Sequence, residues 1–112
     1  MNIKSCMINY SEVDRSAKLI ADDYVTMTFN KDYVTRQVTY DDVWEDFLGY
    51  IVDEIGKPYN MDYEAVYEDD DMSDICFKYT KYVVYRFVVT LRSITGIEYD
   101  FPYEINPNNY VK

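Results

Sequence analysis

Residues 63–75, YEAVYEDDDMSDI, carry six carboxylates and no lysine, arginine or histidine within thirteen positions. Carboxylates this crowded could hold a divalent cation, exchange protons as an acid–base pair, or present negative charge to a cationic partner. The calcium reading fails on register. With Asp69 opening an EF-hand loop, Asp71 and Ser73 fall at its third and fifth positions. Asp74 then sits at the sixth, where glycine must turn the chain, and Thr80 at the twelfth, where glutamate must close the site. Acid–base catalysis has only the crowding itself in its favour, and crowding makes a nearby carboxylate pair a matter of chance. The chain has no histidine, so the commonest general base and any Ser-His or Cys-His nucleophile pair are missing. Neither GxxxxGK[ST] nor GxGxxG occurs, and three glycines are too few for a phosphate cradle. Cys6 and Cys76 stand apart, without CxxC spacing or a histidine to complete a zinc site, and are expected as reduced, packed thiols. The expectation is no metal, no cofactor and no enzymatic activity.

The third option is supported by where the charge lies. Residues 41–74 hold thirteen acids against one base, Lys57, a balance of −12, while the remainder holds eight acids and ten bases, or +2. All of the net charge of −10 therefore comes from one third of the chain. Scattered charge would serve solubility as well and with less self-repulsion. Such a charge repels nucleic acid and anionic membranes, so a basic partner protein is expected. No apolar run is long enough to span a membrane, and the first residues lack the pattern of a signal peptide, which leads to an expected cytoplasmic location.

These residues must be positioned by elements of secondary structure. In TYDDVWEDFLGYIVDEIGKP the apolar residues Val43, Trp44, Phe47, Leu48, Ile51 and Ile55 recur at three- and four-residue spacing, which predicts a helix over about 41–55. Thr39 or Asp41 can cap its start, and Gly56 followed by Pro58 ends it. Asp42, Glu45, Asp46 and Asp53 then share the solvent side as an acidic stripe. Gly49 falls in that stripe, open either to a partner's close approach or to tolerated chance. Residues 61–74 read equally well as a short helix or as an extended edge. In either form Asp69, Asp70 and Asp71 cannot all be buried, because unpaired carboxylates are too costly to desolvate.

The rest of the chain is rich in valine, tyrosine and phenylalanine, the residues of strands. Residues 24–29 and 33–39 alternate around NKD as a hairpin, DICFKYTKYVVYRFVVTLRS supplies one or two further strands, and TGIEYDFPY adds another after a turn at Gly96. Pro102 places that last strand at an edge. Near the start, a short helix capped by Ser11 competes with a strand over residues 3–10. The tail INPNNYVK reads as irregular surface chain. The expected fold is α+β in a single domain over 1–112: an antiparallel sheet of four to five strands, the 41–55 helix on one face, and a possible short second helix.

On size, charge and interleaved aromatics, the stretches YDDVWEDFLGYIVDEIG and YEAVYEDDDMSD resemble the acidic surfaces of phage-encoded DNA-mimic inhibitors, the anti-CRISPR and anti-restriction proteins. The resemblance implies a small non-catalytic inhibitor, acting in the cytoplasm of a host bacterial cell, that blocks the basic DNA-binding groove of a nuclease effector. In a Cas9-type target, one such groove reads the short duplex motif beside the guide-paired sequence. Asp42, Glu45, Asp46, Asp53, Glu64, Glu68, Asp69, Asp70, Asp71 and Asp74 would meet phosphate-gripping arginines and lysines, with Tyr63 and Tyr67 packing beside them. An immunity or antitoxin protein against a basic toxin uses the same electrostatics. A structural or adaptor protein with a merely solvated acidic face is the third reading.

Overall fold

Helix α1 begins where the Asn9 side chain accepts the backbone N–H of Glu12 at 3.3 Å, one residue outside its first turn. The helix runs Tyr10–Thr28 and buries Val13, Ala17, Ala21 and Val25, one residue per turn on a single stripe. The computed structural model describes residues 8–28 and 43–110. A π-helical turn, Trp44–Leu48, leads directly into α2, Gly49–Gly56, and a 3-10 turn, Lys57–Tyr59, extends it. A short α3, Tyr63–Glu68, is followed after one residue by the long α4, Asp70–Thr95.

The expected α+β fold is wrong: every regular element among the described residues is helical. Residues 24–28 lie in α1, and the whole strand-like stretch after Asp74 lies in α4. The second half of the expected hairpin, its NKD turn, the caps Thr39 and Asp41, and Cys6 lie outside the described residues. Residues 97–103 form no strand. The helix expected over 41–55 is present in its described part.

The reason α4 is helical lies in its period. Its buried residues come as adjacent pairs, Met72/Ser73, Ile75/Cys76, Tyr79/Thr80, Val83/Val84 and Phe87/Val88, then Leu91. Pairs three or four residues apart line one side of a helix and would alternate across both faces of a strand. Fully burying a Val, Leu, Ile or Phe side chain contributes about 1.5–3 kcal/mol, whereas a β-branched residue costs a helix no more than about 0.7 kcal/mol. Packing therefore overrides propensity. Threonines are accommodated because their hydroxyls donate to the preceding turn, as Thr80 does to the Cys76 carbonyl at 2.8 Å and Thr90 to that of Arg86 at 2.8 Å.

Cross-contacts fix the directions. Tyr10 meets Asp69, Asp14 meets Lys78 and Tyr79, and Asp22 meets Tyr82 and Arg86, so α1 and α4 run parallel. The Tyr24 ring lies 4.7 Å from that of Phe47, while Val13 shares a cavity with Ile55 and Tyr59, so α2 runs the opposite way. Phe47, Ile51, Val52 and Ile55 fill the space between the three long elements. At Gly96, with φ of 73°, the chain leaves α4 and folds back along it. Arg92 Nε donates to the Tyr99 carbonyl at 2.8 Å, Phe101 stacks on Tyr85 at 5.5 Å, and Ile105 is buried. The tail expected as surface chain is thus partly a packing element.

Gly56 does not end α2 through a left-handed conformation; its φ is −79°. It is required because a Cβ there would lie 2.6 Å from the Met61 carbonyl oxygen and 2.9 Å from Val66 Cγ2. Asn60, with φ of 57°, makes the turn instead. Gly49 is helical, and a Cβ there would meet nothing within 4 Å. Urea melts should therefore show Gly56→Ala losing about 1–3 kcal/mol of stability and Gly49→Ala gaining up to about 1 kcal/mol. A Gly56→Ala variant as stable as the parent would contradict the packing of α3 against the end of α2.

Candidate functional site

The end of α2, the whole of α3 and the start of α4 pack against one another beside the first turn of α1. This pole gathers most of the acids read from the sequence. Asp69 is not a free charge. It caps α4, its Oδ1 accepting the Met72 N–H at 3.0 Å while Oδ2 accepts the Tyr10 hydroxyl at 2.9 Å. Asp62 caps α3 in the same way, accepting the Ala65 N–H at 2.8 Å. The undecided stretch 61–74 is therefore two helices separated by one capping residue, and the acidic run supplies both N-caps. Asp70 and Asp71 occupy the first turn of α4, where the helix dipole favours negative charge.

Glu54 at the end of α2 is half-buried and pairs with Lys57 at 3.1 Å, whereas the other carboxylates at the pole face solvent. Asp53, Glu64, Glu68, Asp70, Asp71 and Asp74 are exposed, and among the described residues none of them forms a salt bridge. Glu64 with Glu68, and Asp70 with Asp74, stand four residues apart on their helices, at about 5–6 Å between Cβ atoms. Like charges at that spacing cost each helix a few tenths of a kcal/mol. Beside them the exposed Tyr63 donates a hydrogen bond to the Tyr67 hydroxyl at 3.2 Å. Tyr67 is half-buried, its ring 6.0 Å from Phe77. Burial, with the Tyr63 contact second, pushes its hydroxyl up to about 12. Of the pair, Tyr63 is the more exposed.

Two predicted residues fall elsewhere. Glu45 and Asp46 are exposed on the π-helical turn, and Asp46 accepts the Tyr24 hydroxyl at 2.5 Å. Tyr24 is fourteen residues along α1 from Tyr10, about 21 Å at 1.5 Å per residue. Glu45 and Asp46 are thus set well apart from Asp69, with Asp53 about two helical turns beyond Asp46 on the same helical run. Asp42 lies outside the described residues. Among the described residues no group of histidine, cysteine and carboxylate side chains is arranged to hold a metal ion. Cys76 is buried within α4, and burial pushes its thiol up to about 12, far from a reactive thiolate.

Sequence reasoning missed what happens to the bases. Lys78 donates to Asp14 at 2.5 Å, and Tyr79 donates to the same carboxylate. Asp22 accepts from Tyr82 at 2.6 Å and from Arg86 at 2.8 Å, with Lys18 at 3.7 Å. Burial by itself would raise the Asp14 carboxyl; hydrogen bonds from Lys78 and Tyr79 and the charge of Lys78 outweigh it and hold the group below its usual range. Burial and the bond to Asp14 push the Tyr79 hydroxyl upward. Lys78 and Arg86 of α4 are thus engaged along the α1 seam: Lys78 stands about one turn beyond Asp74 and lines a cavity with Asp71 and Asp74, while Arg86 lies about three turns beyond Asp74. The Asp–Lys spacing was visible only to a reader who already had α1 and α4 side by side.

No family model, curated protein or solved structure matches this chain. Among the described residues no helix is long and apolar enough to cross a membrane.

A group whose folded pKa is depressed stabilises above its unfolded value, and that stabilisation is lost as pH falls through the folded value. Asp14 should therefore contribute above about pH 4 and stop contributing in stronger acid. Denaturant melts at neutral pH and near pH 3 should show a smaller acid loss for Asp14→Asn than for the parent chain; equal losses would separate Asp14 from acid unfolding. At neutral pH, Asp69→Ala should lose about 1–2 kcal/mol through its cap, whereas Asp71→Asn should change stability by well under 1 kcal/mol.

Proposed function

We propose that the protein is a small acidic inhibitor that occupies the basic nucleic-acid-binding groove of a partner protein and keeps nucleic acid out by competition. The partner is a nuclease effector, a CRISPR effector or a restriction enzyme, as the resemblance to DNA-mimic inhibitors implies. One observation carries the reading: Asp53, Glu64, Glu68, Asp70, Asp71 and Asp74 project from adjoining helical elements, and among the described residues none has a cationic partner of its own. The helix dipoles favour Glu64, Asp70 and Asp71, but no contact among the described residues favours crowding Asp53, Glu68 and Asp74 beside them. Neighbouring carboxylates repel one another, and no salt bridge offsets that cost.

A basic groove would supply the missing counter-charges. Carboxylates about 5–6 Å apart on a helix are comparable in spacing to phosphates on a nucleic-acid strand. Their attachment to packed helices keeps them in place before contact, so little ordering cost remains at binding. Long-range attraction speeds the encounter, while close contact at the exposed ring of Tyr63 adds the desolvated area that charge does not. Asp69 and Asp62 act behind this surface by capping the helices that carry it.

The test is competition with DNA for a purified nuclease effector. The variant Asp70→Asn, Asp71→Asn, Asp74→Asn leaves the Asp69 cap intact and should weaken inhibition by roughly an order of magnitude at low ionic strength, with a smaller difference at high salt where charges are screened. Undiminished potency of that triple variant would end the mimic mechanism. Protection of cells from one basic toxin, with restriction and CRISPR interference untouched, would assign the protein to the immunity class instead.

A further inference from the structure

Bases are scarce in this chain, yet three of them border one groove. Lys18 of α1 and Lys78 and Arg86 of α4 line a cleft of about 580 Å³, and Tyr110 of the returning tail stands on it as well. That volume falls within the roughly 300–1,000 Å³ of small-molecule sites. Apart from Asn109, the rest of the wall is aromatic. Tyr85 and Tyr110 lie 4.7 Å apart at 30°, and Tyr82 is 6.1 Å from Tyr110. The groove uses none of the carboxylates at the acidic pole.

The cations hold the seam and still have capacity. A lysine has three N–H donors and an arginine five, so the contacts with Asp14 and Asp22 leave donors over. Lys18 is the freest, 3.7 Å from Asp22 with its side chain 58% exposed. The tyrosine hydroxyls that face α1 are already used: Tyr79 donates to Asp14 and Tyr82 to Asp22. Tyr85 is held between Phe101 and Tyr110, and what remains of the aromatic wall is ring surface of Tyr82 and Tyr110, suited to stacking. The net charge of −10 sets the other limit, since a polyanion is repelled from the molecule as a whole while an anion of one or two charges is repelled far less.

We propose that this groove binds a small planar aromatic anion, with its ring against Tyr82 and Tyr110 and its anionic group between Lys18, Lys78 and Arg86. Nucleoside monophosphates and aromatic carboxylates share that chemistry. The proposal goes beyond the inhibitor reading and does not depend on it.

Isothermal titration of the full chain with AMP, with indole-3-acetate and with uncharged adenosine tests it. At least one of the two anions should saturate with a dissociation constant of about 1 mM or tighter, and adenosine should bind at least about fivefold more weakly. Saturation by AMP only assigns the site to phosphates, and by indole-3-acetate only to carboxylates. Lys18→Glu, at an exposed position that leaves the core untouched, should weaken the anion about fivefold or more with unaltered circular dichroism and only a small fall in melting temperature from the lost pair with Asp22. Tyr110→Ala should weaken it similarly. Absence of saturation by either anion up to about 5 mM, equal binding of adenosine, or unchanged affinity in Lys18→Glu would overturn the proposal.

Discussion

The contact between α1 and α4 is the constraint on which the other features depend. The two helices are far apart in the chain and run parallel, so no short turn can hold them together. Ala17 and Ala21 are fully buried and let the two backbones come close. On the rim of that contact, Asp14 and Asp22 take up hydroxyls and cations from four residues of α4. Apolar packing provides the attraction and the polar rim sets the register, since slipping α1 by one turn would leave half-buried carboxylates without partners. With α1 and α4 so placed, α2 fills the remaining groove in the opposite direction and α3 closes its end.

The same contact decides how charge is displayed. Lys78 and Arg86, with Lys18 of α1, are drawn to the α1 carboxylates, and Arg92 is drawn to the tail by the Tyr99 carbonyl and the Phe101 ring. The first turns of α4 and the whole of α3 are left with acids only. An uneven charge distribution in the sequence becomes a directional one in the molecule, with an excess of acids at one end of α4, bordered by Lys57 and Lys78, and the other cations further along it. The proposed inhibitor surface and the proposed aromatic-anion groove are two consequences of that separation.

The acidic run serves structure and surface together. Asp62 and Asp69 accept backbone N–H groups, and Asp70 and Asp71 lie where the α4 dipole favours negative charge. Part of the acidic crowding in residues 63–75 is therefore helix-capping chemistry. What helix-end chemistry leaves unexplained is Asp53, Glu68 and Asp74, and these remain exposed together with Glu64 in the first turn of α3 and Asp70 and Asp71 in that of α4.

By itself the sequence determined the period of the 43–56 helix, the concentration of charge between residues 41 and 74, and the lack of histidine-based chemistry, because each of these is a matter of residue type and spacing along one segment. It also contained the period of α4, in paired apolar residues three or four apart, but the Val, Tyr and Phe content pointed to strands. Propensity differences of a few tenths of a kcal/mol per residue yield to burial worth several times more, and burial exists only once a partner helix is in place. Tertiary structure alone decided that Asp69 is a cap bound to Tyr10, that Asp46 stands apart from the pole with Tyr24, and that the bases of α4 answer Asp14 and Asp22. Those pairings join residues about twenty to sixty-five positions apart, and no local pattern encodes a contact that depends on how two helices come to lie side by side.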